Sequence, residues 1–152
     1  MTRATPLFWS MSAVTRLMAQ VSSGNLLPSE ELGAGGETSV RGYDERAANG
    51  SQGVLVSQEL RSPSFDMSKS LFDEDVGDQT QFLTFWDFGS VGDNMTQPNE
   101  PSSTQLSSVG VGMRYALGNR LSLQADYGWQ LIRLPSAQTL GSLAHVAATI
   151  SY

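Results

Sequence analysis

The chain has 152 residues, no cysteine and a formal net charge of −6. The lack of cysteine excludes a disulfide framework and a thiolate metal site. The nine basic residues are scattered singly, so we expect no nucleic-acid partner. No apolar run approaches the roughly 20 residues that a membrane helix needs. The apolar fraction of 39% still permits a membrane β-barrel, because only alternate residues of a barrel strand meet lipid.

The first predicted strand covers residues 8–21. Its apolar side chains share one parity and its polar side chains share the other, which is the period of a strand with one wet side. The stretch from Arg3 through residues 6–14 faintly resembles a signal peptide. However, Ser10 and Ser12 interrupt its apolar part and no small-residue cleavage site follows. A strand is the preferred interpretation, and a signal peptide is the alternative.

Residues 22–52 are predicted to form a long loop, because Ser, Gly, Asn and Glu are frequent there. A loop of this length inside a compact domain is unusual and is often functional. The cluster Gly33, Gly35 and Gly36 could suggest a phosphate-binding loop. No Lys-Ser or Lys-Thr pair follows the cluster, and no helical pattern begins there. We therefore expect neither a bound nucleotide nor any other cofactor.

The middle of the chain is predicted to hold two more strands, at residues 54–61 and 81–90. Residues 64–80, between them, are polar and acidic and are predicted to be a turn region. The run Asp73-Glu74-Asp75 lacks the spacing of an EF-hand calcium loop. A solvated turn is therefore the preferred interpretation, and no metal site is predicted. The stretch 92–103 carries Asp, Asn, Pro and Gln and is predicted to be a loop.

Three final strands are predicted at residues 108–117, 121–131 and 144–152. The turn Gly118-Asn119-Arg120 joins the first two as a tight hairpin. The six predicted strands have about 8 to 14 residues each, which suits the roughly 9 to 11 that a tilted strand needs to cross a bilayer. Short turns set against long loops, with aromatic residues near strand ends, favour an all-β fold of the transmembrane antiparallel barrel type. Periodicity alone leaves a soluble β-sandwich binding module open as an alternative.

The loop from Leu32 to Tyr43 carries a resemblance to a known family. It resembles the signature loop of the two-partner secretion transporters, which are haemolysin-activator-type members of the outer-membrane assembly-factor superfamily. The whole predicted loop, residues 22–52, is therefore called the signature loop. The matching residues of the loop are Gly35, Gly36, Val40, Arg41, Gly42 and Tyr43.

A strand motif supports the same resemblance. The superfamily pairs its loop with a Phe-x-Asp-x-Gly strand, which Phe85, Asp87 and Gly89 match. The run Glu59-Leu60-Arg61-Ser62-Pro63 is similar to the strand after the loop in the secretion branch. Both motifs occur in order within the predicted strand plan, and the resemblance extends from about residue 8 to residue 152.

The resemblance implies a sixteen-stranded barrel preceded by periplasmic domains. Residues 1–152 would then be the C-terminal part of the barrel domain, a fragment with the last six strands and without a periplasmic domain. Six strands leave two edges with unpaired backbone groups, so we do not expect this chain alone to form a stable pore.

The resemblance also implies a location and a function. The location is the outer membrane of a Gram-negative bacterium. The function is secretion, together with activation, of a large haemolysin- or adhesin-type protein. The implied partners are this exported protein, outer-membrane lipid and the barrel assembly machinery, which would recognise the C-terminal aromatic residue Tyr152. The sequence has no catalytic constellation, so an enzyme is not expected. The alternative within the superfamily is a barrel-assembly-type insertase.

Arg41 and Asp87 are predicted to pair inside the barrel. Asp87 shares its parity with Leu83 and Phe85, which we assign to the lumen. A carboxylate in lipid would instead cost about 2 kcal/mol or more at the midplane. An arginine can make a bidentate contact that lysine cannot copy, and this contact would hold the loop inside the barrel. The alternative is that Arg41 is a solvated loop residue. His145 is predicted to face the lumen or to lie near the loop.

Overall fold

The protein is nearly all β, as the sequence predicts. The computed structural model describes residues 1–72, 77–95, 102–135 and 137–151, with the side chains of residues 70–72 left aside. The strands in this part of the chain are β1 (Thr2–Pro6), β2 (Ser12–Gln20), β3 (Leu32–Ala34), β4 (Ala48–Gly50), β5 (Gln52–Arg61), β6 (Asp78–Gly92), β7 (Ser103–Leu117), β8 (Leu121–Gln130) and β9 (Ser142–Ile150).

Seven of the strands form one open antiparallel sheet, called the main sheet, in the order β1-β2-β5-β6-β7-β8-β9. Strands β3 and β4 pair with each other inside the signature loop, which connects β2 to β5. The tight hairpin between β7 and β8 is present, and Arg120 N donates to Leu117 O (3.1 Å) across it. The meander of neighbouring strands therefore follows the predicted plan, with β1 and β9 as its edges.

The main sheet has seven strands in the described residues rather than the predicted six. The predicted strand at residues 8–21 begins only at Ser12, and Phe8–Ser10 form a 3₁₀ turn. Trp9 and Ser10 adopt positive φ angles of 56° and 55°, so the chain reverses there and β1 pairs with β2. The alternation of apolar and polar residues continues through this reversal, so the sequence pattern predicted a single strand. Pro6 lacks an amide proton, which an edge strand such as β1 tolerates.

The predicted turn region at residues 64–80 contains a short helix, α1 (Met67–Phe72), and the start of β6. The Asp78 carboxylate accepts hydrogen bonds from the backbone N–H groups of Met67 and Ser68 (3.0 and 3.2 Å) at the first turn of α1. The run Asp73-Glu74-Asp75 lies outside the described residues. In the described ranges, no helix is long and apolar enough to span a membrane.

The strands after α1 differ from the prediction mainly in length. Both β6 and β7 have 15 residues, because their pairing continues through polar residues that the sequence pattern assigns to loops. Strand β9 runs over Ser142–Ile150, shifted by two residues from the predicted 144–152. Tyr152, the predicted assembly signal, lies outside the described residues.

The two faces of the main sheet differ in what covers them. The inner face carries the signature loop and includes Glu59, Phe85, Asp87, Ser108 and Asp126, all of them buried. The outer face exposes large apolar side chains. These are Leu17, Phe82, Trp86, Val109, Val111, Tyr127, Trp129, Val146 and Ile150. The face that the alternation makes apolar is therefore the exposed face. The buried apolar residues of the protein lie on the other side of the sheet.

The apolar core lies between the signature loop and the inner face. Its buried members are Leu32, Ala34, Val40, Tyr43, Ala48, Leu55, Val91 and Leu106. Five of the eight belong to the signature loop, so the loop supplies most of its own core. This core holds the β3–β4 hairpin against β5, β6 and β7.

Candidate functional site

A tight reversal at residues 35–42 shapes the tip of the signature loop. Gly35, Gly36 and Gly42 have φ angles of 109°, 101° and 89°, a region that side chains with a Cβ rarely adopt. Gly36 N donates to Val40 O (3.2 Å), and Ser39 Oγ both accepts from Gly35 N (2.9 Å) and donates to Gly35 O (2.8 Å). The reversal directs Val40, Arg41 and Tyr43 onto the inner face.

Arg41 and Asp87 are in direct contact on the inner face. Arg41 Nε donates to Asp87 Oδ2 (2.8 Å) and Nη2 donates to Oδ1 (2.9 Å), which is a bidentate pair. The backbone N–H of Arg41 also donates to Oδ2 (3.1 Å). Arg41 is 1% exposed and Asp87 is fully buried. The structure thus brings together the two residues that the sequence predicts to pair.

A second carboxylate, Glu59 on β5, holds the remaining edge of the guanidinium. Arg41 Nη1 donates to Glu59 Oε1 at 2.8 Å. Arg16 donates to the same oxygen (2.9 Å), and Arg61 donates to Oε2 through Nη2 (2.6 Å) and Nε (2.9 Å). Glu59 is fully buried. In the sequence, Glu59 was noted only as part of the run 59–63, which is similar to the strand after the loop in the secretion branch. Its place among the polar side chains of β5 could have predicted that it faces the loop.

A third carboxylate, Asp126 on β8, completes the charge cluster. Its Oδ2 lies 3.7 Å from Arg41 Nη1, and it forms a bidentate pair with Arg114 on β7 (2.9 and 2.8 Å). The cluster therefore contains three carboxylates and four arginines. Only Asp87 among the three carboxylates contacts no arginine other than Arg41 in the described part of the chain.

Phe85 and a set of glycines shape the surface on which the loop tip rests. The Arg41 guanidinium lies over the Phe85 ring, 3.6 Å from its centroid, in a cation–π arrangement. A Cβ on Gly89 would lie 2.9 Å from Val40 Cγ2, and a Cβ on Gly128 would lie 2.8 Å from Gly42 N. The motif residues Phe85, Asp87 and Gly89 thus all lie on the loop-facing side, and Gly128 adds a close approach that the sequence did not predict.

Gly42 and Tyr43 make uncharged contacts with β7, β8 and β9. Gln130 Nε2 donates to Gly42 O (2.8 Å), and Gly42 N donates to His145 Nε2 (3.3 Å). The Tyr43 hydroxyl lies within hydrogen-bonding distance of Ser107 O (2.8 Å) and Ile132 O (2.5 Å). His145 therefore lies beside the loop tip. Gln130 was assigned only to a polar parity in the sequence.

The environment of the loop tip shifts two ionisation equilibria. Burial lowers the pKa of Arg41, but the hydrogen bonds and charge of Asp87 and the charges of Glu59 and Asp126 outweigh it, and the net pKa is raised. Burial raises the pKa of the Tyr43 hydroxyl above its ordinary value. The cationic guanidinium and the neutral phenol are therefore the forms that fit the docked loop.

The chemistry of the site is suited to holding the loop tip in place. Its buried charges are satisfied by one another, and a guanidinium paired with carboxylates is neither a nucleophile nor a general base at neutral pH. In the described residues, no group of three or more metal-ligating side chains could hold an ion. What the arrangement provides is a strong and specific seat for the loop tip.

A comparison with protein families places the chain. Residues 5–115 match the model of the haemolysin secretion/activation protein family ShlB/FhaC/HecB. The chain belongs to this family. The matched residues include the signature loop, β5, β6 and most of β7. No curated protein matches the chain.

Membership of the ShlB/FhaC/HecB family makes this chain an outer-membrane protein of a secretion system. Arg41, Glu59 and Asp87 lie inside the matched residues 5–115. Asp126, Gln130 and His145 lie beyond them, so their part in the site is visible only in the structure. The functional roles predicted for the loop and strand motifs remain predictions.

Proposed function

We propose that this chain forms part of an outer-membrane pore that secretes a large haemolysin- or adhesin-type partner protein by two-partner secretion. The observation that carries the proposal is the buried contact of Arg41 with Asp87 and Glu59, which joins the signature loop to the inner face of the main sheet. In this proposal the inner face is the wall of the pore. The main sheet is then a part of the C-terminal region of a larger closed barrel.

The exposed apolar outer face supports a membrane location for the main sheet. Large side chains such as Trp86, Val111 and Trp129 are more than 40% exposed there, which suits contact with lipid. A soluble sandwich would pack a second sheet against this face. The second sheet in the described residues, β3–β4, lies on the opposite face, so the outer face favours the membrane alternative.

The docked loop is the proposed gate of the pore. The loop occupies the inner face, so an exported chain has to slide past it or displace it. Removing one partner of a buried ion pair typically costs about 3–5 kcal/mol, which sets the scale of the hold on Arg41. Displacement costs less when water or the exported chain solvates both partners. Export without local ATP is then compatible with a loop that returns to its seat.

Further partners belong to the same proposal. Outer-membrane lipid would cover the outer face. The barrel assembly machinery would recognise the C-terminal aromatic residue Tyr152. Activation of the exported protein would accompany its passage. Each of these proposals is separable from export itself, because export is measured on the secreted protein alone.

Export is tested by deleting the gene that encodes this chain in its source bacterium. Mass spectrometry of the culture medium should then show that at least one large protein is lost, and the periplasm should accumulate it or its fragments. Expression of the gene in trans should restore secretion. An unchanged medium together with a general loss of outer-membrane proteins would instead indicate an insertase and contradict the proposal.

The role of the loop is tested by replacing Arg41 with lysine in the full-length, membrane-inserted protein. Lysine keeps the charge but cannot make the bidentate contact, so we expect secretion to fall about tenfold or more. Arg120→Lys is the matched control, because Arg120 is exposed in the hairpin turn between β7 and β8. Equal secretion by the two variants, at equal abundance in the outer membrane, would contradict the gate.

A further inference from the structure

The connection between β8 and β9 lies against the tip of the signature loop. Residues 130–141, called the strap, contact the tip at two places in their described part. Gln130 Nε2 donates to Gly42 O at 2.8 Å, and Ile132 meets the Tyr43 hydroxyl. Leu134 packs against the apolar core of the loop. In the described part of the strap, the groups that fasten it to the loop are therefore neutral.

The Tyr43 hydroxyl takes the place of a backbone partner where β7 and β8 separate. Leu131 N donates to Ser107 O (2.7 Å) just beyond the end of the paired residues of β7 and β8. The amides of Ser107 and Ile132 then turn to the hydroxyl oxygen, both at 3.3 Å. A phenol has one proton and two lone pairs, so the oxygen can accept from both amides while its proton is donated to a carbonyl oxygen, Ser107 O or Ile132 O.

Loss of the hydroxyl from the docked loop would leave these backbone groups without their partner. Tyr43 is fully buried and Ser107 is 6% exposed, whereas Ile132 is half-buried, so the amide of Ser107 is shielded from water in the docked state. A buried amide without a partner carries a desolvation penalty. The conformation of the strap and the docking of the loop therefore stabilise each other, independently of the Arg41 ion pairs.

We propose that Tyr43, Gln130 and the strap form a second, uncharged latch on the signature loop. Tyr43 and Gln130 are positioning residues in this latch. The charged contact fixes Arg41 to β5 and β6, and the uncharged latch fixes Gly42 and Tyr43 to the strap. The strap has to move before the loop leaves the inner face. The consequence for export, though not the latch itself, rests on the proposed function.

The latch is tested through a single introduced cysteine, because the chain has none of its own. Ala34→Cys places a thiol in the fully buried core of the loop, where a small maleimide reacts only when the loop leaves its seat. The full-length protein is purified in detergent micelles and the labelling rate is measured. Thr38→Cys, at an exposed position of the loop, gives the rate for a free thiol.

Tyr43→Phe keeps the ring and removes the hydroxyl, and we expect it to raise the labelling rate at position 34 about five- to tenfold. Tyr127→Phe is the matched control. The Tyr127 hydroxyl bonds Ser142 Oγ (2.7 Å) on the outer face, so its loss should leave the rate unchanged. Equal rates for the two phenylalanine variants would overturn the latch.

Gln130→Glu provides an independent test. Gln130 Oε1 accepts a hydrogen bond from Gly141 N (3.0 Å), and a glutamate retains this acceptor. The glutamate also places a carboxylate oxygen against Gly42 O, where Gln130 has its N–H donor. We expect a larger increase in labelling than Tyr43→Phe gives. A rate equal to that of the unsubstituted protein would contradict the role of Gln130. Labelling does not depend on export, so the latch can stand if the export proposal fails, and the reverse holds as well.

Discussion

The inner and outer faces of the main sheet come from the same alternating strands, yet they have opposite fates. Strand β6 illustrates this, because Phe85 and Asp87 are buried while Trp86 between them is 43% exposed. The buried face is the one that carries the charges. Burial in this protein is therefore decided by what covers a face and not by the polarity of its side chains.

The inner face tolerates its charges because each is matched. Arg41, Glu59 and Asp87 are neutralised within one network of short hydrogen bonds, which offsets the cost of removing them from water. The outer face needs no such matching, because its apolar side chains suit a lipid environment. One sheet can therefore bury polar side chains on one face and expose apolar side chains on the other, when the exposed face meets lipid instead of water.

The largest expected effect comes from removing a charge from the inner face. Asp87→Asn keeps the shape of the side chain and leaves Arg41 without its bidentate anion, so we expect the free energy of unfolding in detergent to fall by about 3 kcal/mol. Denaturant titration of the full-length protein measures it. Thr84→Val, a nearly isosteric change at an exposed outer-face position of the same strand, should change stability by about 0.5 kcal/mol or less.

Adjacent alanines on β9 test the assignment of the faces directly. Ala147 is opposite Gln124 and Ala148 is opposite Leu123, so they lie on the inner and outer faces respectively. Ala148→Arg should cost about 2 kcal/mol by placing a guanidinium in lipid. Ala147→Arg should cost little. Folding of the two variants from urea into lipid vesicles measures the free energy that each substitution costs. Equal costs would contradict the assignment of the outer face to lipid.

Gly128→Ala probes how closely the loop approaches the inner face. The added Cβ would lie 2.8 to 2.9 Å from backbone atoms of Arg41 and Gly42, and backbone atoms cannot swing aside. We expect a loss of about 1.5 kcal/mol in the free energy of unfolding. Gly24→Ala is the matched control, because a Cβ there meets nothing within 4 Å. A neutral Gly128→Ala would mean that the loop docks less tightly than the structure has it.

The smallest expected effect is a pH dependence on the alkaline side. Burial raises the pKa of Tyr43, so the docked state favours the neutral phenol. This contribution is fully present below the ordinary tyrosine pKa of about 10 and is lost as the pH rises through the raised pKa. Labelling of a buried loop cysteine should therefore accelerate above about pH 10. Tyr43→Phe should lack this component, and an identical alkaline profile in both proteins would contradict it.

Much of this fold was predictable from local pattern. Alternation is a property of neighbouring residues in a strand, so β5 to β9 and the Gly118 turn could be placed without knowing their partners. The pairing of Arg41 with Asp87 followed from two short motifs and from parity. The prediction failed at Trp9 and Ser10, because a run that alternates in sequence can still reverse when two residues adopt positive φ.

The convergence of side chains on Arg41 could not be predicted in this way. Glu59 and Asp126 lie 18 and 85 residues along the chain from Arg41, and their meeting depends on the register of β5 to β8. A shift of one residue would turn each of them to the outer face. The Tyr43 hydroxyl likewise finds its partners only because β7 and β8 separate beside it.

The sequence by itself determined the alternating strands, their order and the loop that carries Arg41, because these depend on backbone geometry between near neighbours. The tertiary structure decided which face is buried, which three carboxylates share one guanidinium and which strap holds the loop tip. Those features arise from strand register and from the folding back of the signature loop, and both are set by contacts between distant parts of the chain.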